Sequence, residues 1–151
     1  MERYGIFVDA GYLFSQGSKC LYGENVPRRE LDLKNSEFVD LVKRVATTSI
    51  DRTSLLRIYW YDALIGSSKT TPQLALARMN DVKLRLGTVN TAGQQKGVDS
   101  LLVTDLIKLS QNRAISDAVL LTGDEDMRVG VQLAQEYGIR VHLLGILRHR
   151  E

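Results

Sequence analysis

The chain has one cysteine, Cys20, no apolar run long enough to span a membrane, and almost no net charge. A single cysteine excludes an internal disulfide and fits a reducing compartment, and no motif links Cys20 to a histidine that could activate it. The N-terminal apolar run is too short for a signal peptide, and no run approaches the about 20 apolar residues of a transmembrane helix. We therefore expect a cytoplasmic protein without a membrane partner.

The net charge of +2 over 151 residues does not by itself indicate a polyanionic partner. Lysines and arginines cluster around 28–29, 43–44, 83–85 and 148–150, which fits either a local basic face or an ordinary solvated surface. The sequence contains no repeat, low-complexity tract or linker, so we predict one domain over residues 1–151. It ends directly after the last predicted strand, where a covering helix is usual, which leaves room for a further C-terminal portion.

Five apolar runs rich in β-formers alternate with helical patterns. The predicted strands cover residues 4–10, 55–63, 82–89, 117–123 and 139–147. The predicted helices cover part of 11–22, then 36–49, a stretch starting at an N-cap Thr71 with Pro72 next, 98–113 and 124–138, the last with Gly138 just past its end. This alternation predicts an α/β protein with three layers and a mostly parallel sheet. The run 82–89 alternates in polarity, which is typical of an edge strand.

Acidic residues follow the predicted strands. Asp9 ends the first strand, Asp62 the second, and Asp124 with Asp126 follows the fourth; Asp99 lies in the first turn of the helix before that strand. Because open parallel sheets bind ligands beyond the carboxyl ends of their strands, we expect these acids to meet at one edge. Each has a simpler reading as well, since aspartate also caps helices and fixes turns.

Asp105 falls on the apolar side of its predicted helix. At about 100° per residue it lies about 20° from Val98 and about 40° from Leu109, where an uncompensated carboxylate is costly. Hydrogen bonds from a neighbouring loop or membership of the acidic site would each compensate it.

Carboxylates crowded together raise one another's pKa, and a divalent cation is the usual remedy. A set of oxygen ligands without histidine or cysteine favours Mg²⁺ or Mn²⁺ over zinc, and such an ion suits phosphoryl chemistry. Lys96 precedes a helix N-terminus and could hold a phosphate, although a solvated loop lysine is an equally good interpretation. The hydroxyl of Thr122 could bind a water or a phosphate oxygen.

Three ordered motifs resemble those of NYN domains, a branch of the PIN-like nuclease superfamily that includes the bacterial LabA-like group. They are "FVDAGYLF", "KGVDSLLVTDLI" and "LLTGDEDM", followed by "YGIRVHLLG". The resemblance implies a sheet in the order 3-2-1-4-5, one or two Mg²⁺ or Mn²⁺ ions, and metal-dependent cleavage of RNA. By position it assigns metal-binding roles to Asp9, Asp99, Asp124 and Asp126, and makes Asp105 a further ligand or an organiser of the others.

The sequence departs from the family pattern at four positions. Tyr12 stands where many relatives have asparagine, and Thr122 replaces a commoner serine. Glu125 occupies a position that is often a small residue, and Met127 occupies one that is often phenylalanine. None of these changes removes a carboxylate, so we expect the metal site to be retained. Glu125 is expected to point away from it.

We therefore predict a metal-dependent ribonuclease, most simply an endoribonuclease acting on single-stranded or looped RNA. Lys96, Thr122, Arg28 and Arg128 are the candidate phosphate-binding residues, with catalysis assigned to Asp9, Asp99, Asp105, Asp124 and Asp126. Two alternatives remain open. One is another metal-dependent phosphoryl-transfer enzyme of a toprim-like kind, and the other is a non-catalytic module of the same fold that binds RNA or a protein. The sequence leaves homo-oligomer formation open.

Overall fold

The computed structural model describes residues 2–50, 53–89, 95–123 and 125–146, of which Val89, Gln95, Lys96 and Asp126 by their backbone only. The strands are β1 (Arg3–Asp9), β2 (Ser54–Leu64), β3 (Val82–Val89), β4 (Gln95–Lys96), β5 (Asp117–Leu121) and β6 (Arg140–Leu143). The helices are α1 (Ala10–Tyr22), α2 (Asn35–Ser49), α3 (Thr71–Ala77), α4 (Val98–Gln111) and α5 (Arg128–Glu136), with 3₁₀ helices at Arg28–Glu30 and Glu125–Met127.

The strands form one sheet in the order β4-β3-β2-β1-β5-β6. The five longer strands are parallel and, counted along the chain, stand in the predicted order 3-2-1-4-5, which confirms the α/β class and the topology. The sequence did not predict β4, which pairs antiparallel with the end of β3 and is too short to produce a recognisable alternation. Because β1 and β5 are neighbours, their carboxyl ends lie side by side.

Helices cover both faces of the sheet. Ile6, Val8 and Trp60 pack on one face with residues of α1, α2 and α3. Phe7 and Leu120 pack on the other face with α4 and α5. Consecutive residues of β1 thus enter opposite halves of the core, which is why this strand appears in the sequence as a continuous apolar run. Within the described ranges, no helix is long and apolar enough to cross a bilayer.

Capping side chains set the helix boundaries near the site. The predicted cap of α3, Thr71, is wrong: the cap is Thr70, whose hydroxyl accepts the Gln73 N–H while the Gln73 amide oxygen accepts the Thr70 N–H. This reciprocal pair satisfies two N-terminal donors, so it determines the start, and Pro72 becomes the second helical residue. Gly138 follows α5 with φ of 89°, as predicted for a left-handed position after a helix.

Candidate active site

An open cavity of about 610 Å³ lies where β1 ends and α4 begins. The β1–α1 junction contributes Asp9, Gly11 and Tyr12, α4 and its cap contribute Gly97–Ser100, Val103 and Thr104, and Met127 closes one side. Asp9 and Asp99 therefore meet at one cavity although they are far apart in the sequence. The position beside the carboxyl end of a central parallel strand is where open α/β sheets bind ligands.

Asp9 is a buried carboxylate at the end of β1. Its Oδ1 accepts the Tyr12 N–H at 3.3 Å, which caps α1, and its Oδ2 accepts the Thr122 hydroxyl at 3.3 Å. Thr122 follows β5, so the pairing of β1 with β5 delivers this hydroxyl. These two hydrogen bonds help to orient the Asp9 carboxylate.

Asp99 lies in the first turn of α4, two residues after the cap residue Gly97, whose φ is 89°. Only glycine adopts this left-handed conformation readily, so Gly97 sets the direction in which α4 leaves the cavity. A carboxylate in the first turn also interacts favourably with the positive end of the helix dipole. The Asp99 side chain is partly exposed and lines the cavity.

The structure does not describe the side chains of three predicted site residues. Asp124 lies outside the described residues, as do the side chains of Asp126 and Lys96. Their neighbours border the cavity: Met127 beside Asp126, and Gly97 beside Lys96. Within the described part of the chain, no group of three or more histidine, cysteine, aspartate or glutamate side chains is placed to hold a metal ion. The roles of Asp124, Asp126 and Lys96 therefore stay predictions.

Arg128 begins α5 and is 70% exposed, and its Nη2 lies 3.5 Å from Oε2 of Glu125. Glu125 is itself 84% exposed, as expected for an acid that points away from the cavity. Such an exposed pair contributes little to stability. Arg128 is not among the residues that line the cavity, and its phosphate-binding role stays a prediction.

Asp105 is not among the residues that line this cavity, and its predicted role as a further ligand or organiser stays a prediction. Its Oδ2 accepts from Nε of Arg85 at 2.9 Å and from the Tyr61 hydroxyl at 2.9 Å, and its Oδ1 accepts from Nη2 of Arg85 at 3.1 Å. Burial raises the pKa of Tyr61, with the Asp105 charge adding to the rise, and the hydrogen bond to Asp105 raises the pKa of Arg85. The cost of placing Asp105 beside the core is thus offset by side chains of β2 and β3.

These contacts predict that Asp105 and Arg85 stabilise the fold as a pair. Asp105→Asn and Arg85→Gln should each lower the free energy of unfolding by about 1–3 kcal/mol. The double variant should cost less than the sum, since both changes remove the same interaction. Urea titrations without metal, followed by Trp60 fluorescence, measure all three values. Additive losses, or an Asp105→Asn variant as stable as the parent, would contradict the pairing.

Arg28, one of the predicted phosphate-binding residues, forms an ion pair with Asp62, and its phosphate-binding role stays a prediction. Its Nη1 and Nη2 donate to Oδ1 and Oδ2 of Asp62 at 2.8 Å each, and its guanidinium carbon lies 4.1 Å from the centre of the Phe14 ring. Asp62 also accepts from Gln73 and from the Ala63 N–H. Burial acts to raise the pKa of Asp62, but Arg28, then Gln73 and Ala63, hold it below its ordinary value. Asp62 is therefore an internal ion-pair partner.

Tyr12 has a structural role that its departure from the family pattern did not reveal. Its hydroxyl accepts the Ile146 N–H at 3.3 Å, and its ring lies so close to Gly123 that a Cβ there would stand 2.5 Å from Cε2. Tyr12 thus lines the cavity and packs against Gly123, in the segment that follows β5. No charge or spacing in the sequence signals this contact.

Comparisons with known proteins agree with this architecture. The NYN domain family model matches residues 3–151. An uncharacterized protein of Sinorhizobium fredii, y4oD, is 72% identical over 74 residues, which are 49% of this chain and only 35% of that relative. The crystal structure of VPA0982, a protein of unknown function from Vibrio parahaemolyticus, aligns with this chain with a TM-score of 0.63 and 18% sequence identity. The alignment covers 96% of this chain and 82% of that chain, and it shows a likeness of fold. With motif, topology and family model in agreement, the chain belongs to the NYN domain family of the PIN-like nuclease superfamily.

Proposed function

We propose that this chain is a metal-dependent ribonuclease that cleaves RNA internally. One observation carries the proposal: Asp9 and Asp99, delivered by different elements, line one open cavity at the carboxyl edge of the sheet. A family of nuclease-like proteins supplies the reaction class. An open cavity admits a strand that continues on both sides of the scissile bond, which favours internal cleavage.

The donors at this cavity suit a hard divalent cation. Asp9 and Asp99 line the cavity, and Thr122 donates its hydroxyl to Asp9, so these side chains offer oxygen atoms only, which favours Mg²⁺ or Mn²⁺. Asp9 and Asp99 would hold the ion together with Asp124 and Asp126. When bound, such an ion neutralises phosphate charge and lowers the pKa of a coordinated water.

The side chains and backbone around the cavity would orient the Asp9 carboxylate and the bound phosphate. The cap to Tyr12 and the bond from Thr122 fix the Asp9 carboxylate before substrate arrives, so little reorganisation is needed. The N-terminus of α4 opens onto the cavity at Gly97, and its backbone N–H groups favour an anion such as a phosphate. Lys96 and Arg128 would add positive charge around that anion.

The test is cleavage of a labelled single-stranded RNA by purified protein, with the DNA of the same sequence as the comparison. We expect internal cleavage with Mn²⁺ or Mg²⁺, none in EDTA, and recovery when the metal is restored in excess. RNA binding without cleavage in either metal would instead identify a binding module of the same fold. Cleavage that persists in EDTA would refute the metal dependence.

A further inference from the structure

Three cavities follow one side of α4. The first is the acidic cavity. The second, of about 320 Å³, shares Gly97, Ser100 and Thr104 with it and is closed by Leu86–Thr88 of β3. The third, of about 250 Å³, lies between the same helix and the earlier part of β3. We call the second and third cavities together the α4–β3 groove.

The spacing of the α4 residues places the second and third cavities along the same side of the helix. Ser100, Thr104 and Lys108 recur every four residues, so they form one stripe on the helix surface. The rise along α4 from Ser100 to Lys108 is about 12 Å, at about 1.5 Å per residue. Stacked nucleotides follow one another at about 3.4 Å, so this length accommodates about three or four of them.

The far end of the groove is basic. Lys83, Arg85 and Lys108 line the third cavity with Asp105 and Tyr59. Asp105 neutralises and immobilises Arg85, whose side chain remains 36% exposed. Lys83 and Lys108 are exposed, and neither forms an ion pair with another residue that the structure describes. Two lysines are therefore available to an external anion.

An aromatic ring lies among these cations. Tyr59 is half-buried and stacks on Phe7 at 5.2 Å, with 16° between the ring planes, so its position is fixed. Burial raises the pKa of Tyr59, while the nearby charges of Arg57 and Arg3 act in the opposite direction. Positive charge beside a fixed aromatic ring is the combination that single-stranded nucleic-acid sites use for phosphates and bases.

We infer that the α4–β3 groove binds the part of a single-stranded RNA that extends from the acidic cavity, with Lys83 and Lys108 on its phosphates and Tyr59 against a base. The hydroxyls of Ser100, Thr104 and Thr88 would line the path between the two ends. The inference rests on the proposed function for the identity of the ligand. It adds the path that the RNA follows from the acidic cavity along α4, and it names the residues that would determine the affinity for RNA.

The test compares a Lys83→Gln/Lys108→Gln variant with a Lys19→Gln/Lys34→Gln control. Lys19 and Lys34 are exposed lysines of α1 and of the N-cap of α2, the helices that cover the opposite face of the sheet, so the control has the same charge change. Binding of a fluorescent single-stranded RNA is measured by anisotropy in EDTA, over a series of salt concentrations. Each lost phosphate contact should reduce the magnitude of the slope of log K against log salt by about 0.7, so the slope of the groove variant should fall in magnitude by about 1.4. At moderate salt the groove variant should bind the RNA about tenfold or more weakly than the parent.

An unchanged slope in the control and a reduced slope in the groove variant support the groove. Equal behaviour of the two variants, or no RNA binding by the parent protein, overturns it. Cleavage assays of the same preparations keep the two proposals separate. If the protein cleaves RNA with metal but the groove and control variants bind RNA equally, only the groove proposal is refuted. If the groove variant alone loses RNA binding and no protein cleaves RNA, only the nuclease proposal is refuted.

Discussion

Asp9→Asn should lower the rate of RNA cleavage by about a thousandfold or more while the protein stays folded. The change removes one negative charge from the cavity, and a loss of about 4 kcal/mol of transition-state stabilisation corresponds to about three decades in rate. Asparagine is as good an N-cap as aspartate, so the bond to the Tyr12 N–H and the start of α1 should survive. Single-turnover cleavage at saturating RNA gives the rate, and thermal unfolding reports the fold.

Asp40→Asn is the matched control, since Asp40 is an exposed acid of α2 on the opposite face of the sheet. It should cleave RNA at the parental rate. If Asp9→Asn were to unfold at the parental temperature and cleave within about tenfold of the parental rate, less than about 1.4 kcal/mol of stabilisation would depend on that charge. The assignment of Asp9 to the reaction would then be wrong.

The largest effect on stability is expected at the ion pair between Arg28 and Asp62. Asp62 is 3% exposed, and the pair joins the segment after α1 to β2. Asp62→Asn places an amide N–H₂ against the donors of Arg28 and Gln73, and breaking a fully buried pair costs about 3–5 kcal/mol. Because Arg28 is 42% exposed and can recover water, we expect a smaller loss of about 2–3 kcal/mol.

The same pair gives a pH dependence with a definite sign. The pKa of Asp62 is lowered in the folded protein, so its stabilising contribution is complete above the ordinary aspartate pKa of about 3.9 and is lost as the pH falls through the folded value. The stability difference between the parent and Asp62→Asn should therefore be constant near neutral pH and shrink below about pH 4. Urea titrations followed by Trp60 fluorescence measure it, and Asp40→Asn should show no such difference. A gap that widens on acidification would contradict this role.

The fold could be predicted because its information is local. Among the residues that the structure describes, apolar runs and helical periodicity located the five longer strands and the five α-helices, and the three motifs supplied the strand order. The two-residue β4 and the exact cap of α3 were missed, since a pair of residues has no periodicity and Thr70 and Thr71 differ only in which hydroxyl reaches Gln73.

The site was only partly predictable because its charges find partners across the sheet. The position of Asp9 at the end of β1 follows from the sequence alone. Asp105 was assigned to the site through the family resemblance and Arg28 through its charge, and neither the contact of Asp105 with Arg85 nor that of Arg28 with Asp62 was predicted. The alternating polarity of residues 82–89, which include Arg85, indicated a strand with one solvent-exposed face. Nothing in the sequence spacing pairs Arg85 with Asp105. Such pairings depend on the register of β2, β3 and α4, which a sequence pattern does not specify.

Titration of the protein with Mn²⁺, followed by the paramagnetic resonance signal of the free ion, tests the central claim most directly. The parent protein should remove Mn²⁺ from solution in a saturable manner, and Asp9→Asn and Asp99→Asn should each weaken this binding by at least about tenfold, while Asp40→Asn should leave it unchanged. Equal Mn²⁺ binding by all four proteins, or no saturable binding by the parent, would show that these acids do not form a metal site.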